Sequence, residues 1–273
     1  MSQYIIDDTK KITVRTIGQM KPAGEKIAML TAYDYTMARL VDAAGVDILL
    51  VGDSAANTMA GYSTTLPITL EEMMVYARGV VRGTRRALVV FDMPFGSYQA
   101  GAEQAVGSAV RVLKETQCDA VKMEGGQEHL AAVRRLVECG IPVMGHLGLQ
   151  PQHVHAYGGF GLRATDDEEA ARIEEDARLL EEAGCFAIVL EKIPAALAQK
   201  ITTARAIPVI GIGAGGGTDG QVLVLQDMLG LSGDFHPKFL RTYADLGTQI
   251  TNATNRYVAD VKSGDYPSEA ESY

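Results

Sequence analysis

The sequence predicts an α/β chain whose parallel strands close into a (β/α)8 TIM barrel. Three observations carry this expectation. Eight short apolar runs recur along the chain, at 27–31, 47–51, 87–91, 120–123, 142–145, 186–190, 208–212 and 222–225. Each is apolar without alternation, the pattern of a parallel strand covered on both faces. The stretches between most of them place apolar residues at helical spacing, so strand and helix alternate without a break. The chain has 273 residues, close to the size of one such barrel. An open doubly wound sheet is the competing arrangement, and eight units in this length favour closure.

Taken in order, residues 13–24 read as an extra helix closing the bottom of the barrel. Residues 103–115 have apolar positions at helical spacing, and 167–183 is charged on one face with Ala and Leu on the other. Gly45, Gly140 and Gly184 stand just before the next strand, where a helix C-cap is expected. The segment 150–165 is long, glycine-rich and without a clear element, and carries His153 and His155. Long irregular loops in compact domains are usually functional, so it is read as a lid or rim at the active face. The tail from Ser263 is polar. No linker divides the chain, so 1–273 is expected to be one barrel domain with an N-terminal helix and a C-terminal helical tail.

Composition narrows the function classes. Hydrophobic residues make up 47% and charged residues 22%, as in an ordinary globular protein. The formal charge of -9 repels phosphate backbones, so no nucleic-acid partner is expected. Cys118, Cys139 and Cys185 are far apart, without zinc-site or redox spacing, and each is read as a small buried residue. The opening residues MSQYIIDDTKK lack an apolar signal region, and no apolar run approaches the roughly 20 residues needed to span a bilayer. A cytoplasmic protein without a membrane partner is the expectation.

In such barrels the chemistry sits at the C-terminal ends of the strands. The first polar residues after the runs are Asp53 and Ser54, Asp92, Lys122 and Glu124, His146, and Glu191 with Lys192. Asp53, Asp92 and Glu124 would converge at one end. Three close anions repel unless a cation lies between them or one is protonated. Oxygen-only donors select a hard cation such as Mg²⁺. Helix capping or pairing with a surface lysine is the structural alternative for each. Lys122 and Glu124, two apart on one strand, point to the same side. Lys122 is read as an electrostatic anchor for an anionic substrate rather than a Schiff-base lysine, which needs a depressed pKa; pairing with Glu124 is the alternative. Glu191, on the opposite wall, suits a general base, with a salt bridge as the alternative. His146 reads as a proton relay or a polar wall residue. The glycine-rich stretch 211–217 is either an anion cradle or a tight turn.

Several segments carry a resemblance to a known family. They are TAYDY at 31–35, VGDS at 51–54, STTLPIT at 63–69, DMPFGSY at 92–98, VKMEGG at 121–126, GHLGLQPQ at 145–152, IGIGAG at 210–215 and TDGQ at 218–221. Spread in order over nearly the whole chain, they resemble the ketopantoate hydroxymethyltransferases. The resemblance implies a TIM barrel of the phosphoenolpyruvate/pyruvate group. It implies transfer of a hydroxymethyl group from 5,10-methylenetetrahydrofolate to 3-methyl-2-oxobutanoate, through a Mg-stabilised enolate. The product would be 2-dehydropantoate, on the route to pantothenate and coenzyme A. It implies Mg²⁺ held by Asp53, Asp92 and Glu124, the oxo acid held by Asp53, Ser54, Asp92 and Lys122, and Glu191 as general base. The small molecules would be the oxo acid and the folate, and the assembly a homo-oligomer, commonly a decamer. The chain departs from the family at Gly216 and Gly217, where a bulkier polar pair is usual, and at Lys192 beside the base. The first departure should loosen that loop. Two rivals share parts of this pattern. A phosphoenolpyruvate-type mutase or 2-methylisocitrate-type lyase would also use an oxo acid and Mg²⁺, but such lyases rely on a cysteine in a KKCGH-type loop, which this chain lacks. A catalytically silent barrel predicts loss of a metal carboxylate, and none is lost.

Overall fold

The structure is a computed structural model that describes residues 10–233 and 236–273. Most of the opening segment read above for a secretory signal, residues 1–9, lies outside them. One compact unit runs up to Val224, and a second spans Leu225–Tyr273.

The first unit contains eight strands: β1 Ile27–Thr31, β2 Ile48–Val51, β3 Leu88–Asp92, β4 Ala120–Glu124, β5 Val143–Gly148, β6 Ala187–Glu191, β7 Val209–Ile212 and β8 Gly220–Leu223. All pair in parallel, in sequence order, and β8 returns to β1 to close the barrel. The helices are α1 Val14–Ala23, α2 Tyr35–Ala43, α3 Ala55–Thr58, α4 Leu70–Gly83, α5 Ala102–Thr116, α6 Leu130–Glu138, α7 Val154–Tyr157, α8 Asp167–Glu182 and α9 Ala195–Ala204. The expected (β/α)8 barrel is therefore the observed fold.

The strand interiors explain why the runs lack alternation in sequence. From β2 to β7 one face of each strand is covered and the other fills the barrel, whereas β1 and β8 leave Ala28 and Gln221 exposed on their outer face. The inward set includes Ile27, Met29, Ile48, Leu50, Leu88, Val90, Ala120, Met144, Ala187, Val189, Ile210 and Val222, packed as one cluster with Ile12, Ile17 and Met20. Ile17 and Met20 belong to α1, which plugs the N-terminal end as expected. Thr13 starts this helix with a capping box to Thr16. Lys21 anchors it, donating to Thr202 O at 2.7 Å and pairing with Asp219 at 2.8 Å.

The N-terminal end carries a repeated device. Asp47, Asp119 and Asp219 stand just before β2, β4 and β8. Each accepts a backbone N–H from the start of the preceding strand: Ala28 at 3.0 Å, Val89 at 2.8 Å and Val209 at 2.9 Å. These carboxylates satisfy strand ends that would otherwise be unpaired.

Gly45, Gly140 and Gly184 have φ of 92°, 79° and 96°, the left-handed conformation expected after a helix. Two expectations need correction. The segment 150–165 is not without structure: Pro151 opens a 3-10 turn over Pro151–His153, which leads into α7. Proline at the first helical position fits because its missing N–H is not needed there. Cys118 and Cys185 are buried, but Cys139 is exposed, because it caps the C-terminus of α6 at the surface.

The second unit holds α10 Leu225–Met228 and α11 Leu246–Ser263, whose N-terminus is capped by Asp245 accepting from Thr248 N at 3.2 Å. No described helix is long and apolar enough to cross a membrane.

Candidate active site

Side chains two apart on a strand share a face. Following the inward face upward from the apolar layers therefore identifies what tops the barrel. Leu88 and Val90 lead to Asp92 on β3. Ala120 leads to Lys122 and Glu124 on β4. Met144 leads to His146 on β5, and Ala187 and Val189 lead to Glu191 on β6. The interior thus changes from hydrocarbon to charge within one strand length. Asp53 and Ser54 come from the turn after β2 rather than the strand itself.

Asp92 and Lys122 are register partners on β3 and β4, and their side chains pair at 2.5 Å. The lysine thus engages Asp92, not Glu124, the partner considered from sequence. Both are almost fully buried. Asp92 Oδ2 also accepts the Asp53 N–H at 3.2 Å, which ties the β2 turn to β3. Burial lifts the Asp53 carboxyl well above its ordinary range, and Asp92 and Glu124 lift it further, against Lys122 and Gln152. For Lys122, burial acts against the charge, but Asp92, Asp53 and Glu124 outweigh it and hold the ammonium above its ordinary value.

His146 sits between two carboxylates. Its Nδ1 lies 3.5 Å from Glu124 Oε1 and its Nε2 lies 3.2 Å from Glu191 Oε2. Both carboxylates face the ring as ionic partners once it is protonated. Burial and Lys122 oppose the imidazolium, Glu124 and Glu191 favour it, and the balance lifts its pKa to about 9. Glu191 is less enclosed, with 17% of its side chain exposed, so it borders the open end. Lys192, beside it, turns away with φ of 45° and donates to Phe160 O. Ser54 Oγ lies 2.7 Å from the hydroxyl of the buried Tyr33, whose pKa burial pushes up to about 12.

Sequence reasoning missed three residues that organise this cluster. Gln152, from the turn after β5, donates through Nε2 to Asp53 Oδ2 and to Met93 O, each at 3.0 Å. Its backbone N–H donates to Glu124 Oε2 at 3.0 Å. Tyr98 donates to Gln152 Oε1 at 2.8 Å. Tyr33, Tyr98 and Gln152 all lie in the segments that carry the family resemblance, and that was the available signal. His153 and His155 are not among these contacts; His153 stacks on Tyr157 and His155 is exposed.

Among the described residues, no three His, Cys, Asp or Glu side chains form a ready-made metal shell. The donor set nevertheless suits a hard cation. Glu124 Oε1 is buried with no hydrogen bond. Burial and the neighbouring Asp92 and Glu124 raise the Asp53 carboxyl, a penalty that a divalent ion bound among these oxygens would relieve.

At 211–217, Gly216 faces open space, whereas a Cβ at Gly217 would lie 2.8 Å from Gln199 Cβ on α9. Packing therefore requires glycine at 217 and leaves 216 free.

The comparisons with known proteins agree with this architecture. Solved structures with the same fold include a phosphonopyruvate hydrolase in complex with oxalate and Mg²⁺ (TM-score 0.59, 11% identity, covering 94% of this chain and 92% of that one). They also include a 2,3-dimethylmalate lyase of the PEP mutase/isocitrate lyase superfamily (TM-score 0.57, 15% identity, 95% and 91% covered). The sequence relatives are far more similar. The 3-methyl-2-oxobutanoate hydroxymethyltransferase of Bacteroides thetaiotaomicron is 59% identical over 273 residues, covering all of both chains. That of Flavobacterium johnsoniae is 55% identical over 266 residues, covering 97% of this chain and 98% of the relative. The family profile described as ketopantoate hydroxymethyltransferase matches residues 11–269. With a match of that extent and a complete charged cluster atop its barrel, the chain belongs to the ketopantoate hydroxymethyltransferase family.

Proposed function

We propose that the chain transfers a hydroxymethyl group from 5,10-methylenetetrahydrofolate to 3-methyl-2-oxobutanoate, giving 2-dehydropantoate for pantothenate and coenzyme A synthesis. The observation that carries this reading is the inward-facing set Asp92, Lys122, Glu124, His146 and Glu191 at the C-terminal end of the barrel.

Asp53, Asp92 and Glu124 would hold Mg²⁺. Once bound, the ion would supply Lewis-acid polarisation of the oxo acid's carboxylate and 2-oxo oxygens. Lys122, kept charged by its anionic neighbours, would face the negative charge of the substrate. Ser54, fixed by Tyr33, would offer a hydroxyl to the oxo acid. Glu191 would take the C3 proton, at the exposed edge where substrate enters. His146, 3.2 Å away, would hold that carboxylate in place and balance its charge. The resulting C3 carbanion bonds to the folate's methylene carbon as its bond to N10 breaks, and the proton taken from C3 ends on N10. Water then replaces N5 on that carbon, its OH becoming the new hydroxyl and its proton passing to N5, which releases tetrahydrofolate. The reading extends to a cytoplasmic homo-oligomer, a decamer by family resemblance, with 1–273 acting as one domain.

The test is product formation from the oxo acid and the methylene folate, followed by mass spectrometry. Asp92→Ala and Asp92→Asn should each lower kcat by at least about a hundredfold, the scale of losing a preorganised electrostatic contact, with circular dichroism unchanged. Near-normal turnover of both variants would remove Asp92 from the ligand set. Absence of product from the wild type with both substrates and Mg²⁺ would overturn the reaction itself.

A further inference from the structure

Gln152 makes five polar contacts that join four parts of the barrel top. Its side-chain amide is fully used. Both Nε2 hydrogens are committed, one to Asp53 Oδ2 and one to Met93 O, each at 3.0 Å. Oε1 accepts from Tyr98 Oη at 2.8 Å and from Gln99 Nε2 at 3.2 Å. These contacts fix which end of the amide faces Asp53, since an inverted amide would present oxygen to two acceptors and NH₂ to two donors. The backbone N–H of the same residue holds Glu124 Oε2 at 3.0 Å. Gln152 is 4% exposed, so none of these groups has water as a substitute. Pro151 opens the 3-10 turn in which it sits, which fixes the backbone that delivers both contacts.

Asp53 and Glu124 come from the β2 turn and from β4, with β3 between them. No hydrogen bond joins the two carboxylates directly, and anions this close repel. We infer that Gln152 is the positioning residue that sets Asp53 and Glu124 relative to one another, and that Tyr98 orients it for that task. The inference rests on the reading of these carboxylates as the metal ligands. Gln152 is not a ligand itself: it holds one oxygen of each carboxylate, Asp53 Oδ2 and Glu124 Oε2, and makes no hydrogen bond to the other. Outer partners of metal ligands of this kind typically contribute 10- to 100-fold to metal affinity.

The test uses Mn²⁺ as the probe, titrated by electron paramagnetic resonance into the full chain. Gln152→Met keeps the length without the hydrogen bonds, and Gln152→Glu turns an oxygen toward Asp53. Both should bind Mn²⁺ about 10- to 100-fold more weakly than wild type, with the fold retained by circular dichroism but a lower melting midpoint, because buried partners lose their hydrogen bonds. Tyr98→Phe removes one atom and should weaken Mn²⁺ several-fold, which keeps the inference testable if a Gln152 variant fails to fold. Exchange of the C3 proton of 3-methyl-2-oxobutanoate in D₂O provides the second readout. Its kcat should fall more than its KM rises, because displaced carboxylates still meet substrate but no longer align it. Variants that bind Mn²⁺ and exchange like wild type would overturn the inference. If wild type itself binds no Mn²⁺, the metal reading fails separately. The exchange rate then decides: loss in Gln152→Met upholds the positioning role, and a wild-type rate ends it.

Discussion

Lys122 shows how a single side chain's chemistry is set by its neighbours. Burial alone would depress an ammonium pKa and make it a nucleophile. Here three carboxylates reverse that outcome, so the group stays a cation at neutral pH. The same physics, here not outweighed by neighbours, governs Cys118 and Cys185, whose thiols burial pushes up to about 12. A raised thiol pKa means that thiolate appears only as pH climbs toward that value, so at pH 8 roughly one in ten thousand is ionised. Iodoacetamide at pH 8 should therefore label exposed Cys139 in the folded chain and reach the other two only after unfolding. Peptide mapping checks this, and labelling of Cys185 in the native chain would contradict the burial described.

The barrel divides its labour between its two ends. Acidic residues at the N-terminal end accept backbone N–H groups of neighbouring strands, whereas those at the C-terminal end gather around Lys122 and His146. Changing Asp219 should accordingly affect stability alone. It pairs with Lys21 and accepts Val209 N–H, and its side chain is 16% exposed. Asp219→Ala leaves a largely buried lysine without its carboxylate and should cost about 3 kcal/mol in urea unfolding at unchanged kcat. A stability loss below roughly 0.5 kcal/mol would contradict the argument, by the scale of a surface substitution. The strands were legible because their apolar runs lack alternation, and the site because parity carries Leu88 and Val90 on to Asp92, and Ala187 and Val189 on to Glu191. β5 continues past the apolar run to Gly148 and takes in His146, because the facing carboxylates of Glu124 and Glu191 make a polar interior residue tolerable. Gln152 was not legible, since its role depends on contacts with Asp53, Met93, Tyr98 and Gln99, remote in sequence. The short helix α7 was hidden by the glycines that follow it.

For the whole molecule, the proposed metal site would link ligand binding to folding. The unfolded chain does not gather Asp53, Asp92 and Glu124, so a divalent ion that binds them stabilises only the folded state. At a hundred times its dissociation constant it adds about 2.7 kcal/mol. For a chain of this size that raises Tm by roughly 5–10 °C. Differential scanning calorimetry with Mg²⁺, and with chelator, checks this. The shift should vanish in Asp92→Ala and persist in Asp219→Ala, which separates the site from general ion effects on a chain of net charge -9. The glycine pair at 216–217 belongs to this scale as well. Gly217 is demanded by Gln199 on α9, whereas Gly216 is not, so Gly216→Ala should leave the melting midpoint within about 1 °C, as expected of an unconstrained surface position.

The central claim is that Glu191 removes a proton from the oxo acid at a site built by the carboxylates. The most direct measurement is loss of the C3–H signal of 3-methyl-2-oxobutanoate in D₂O, followed by NMR without folate. The account predicts exchange with Mg²⁺, none with chelator, and none in Glu191→Gln. Exchange that persists undiminished in Glu191→Gln would contradict it.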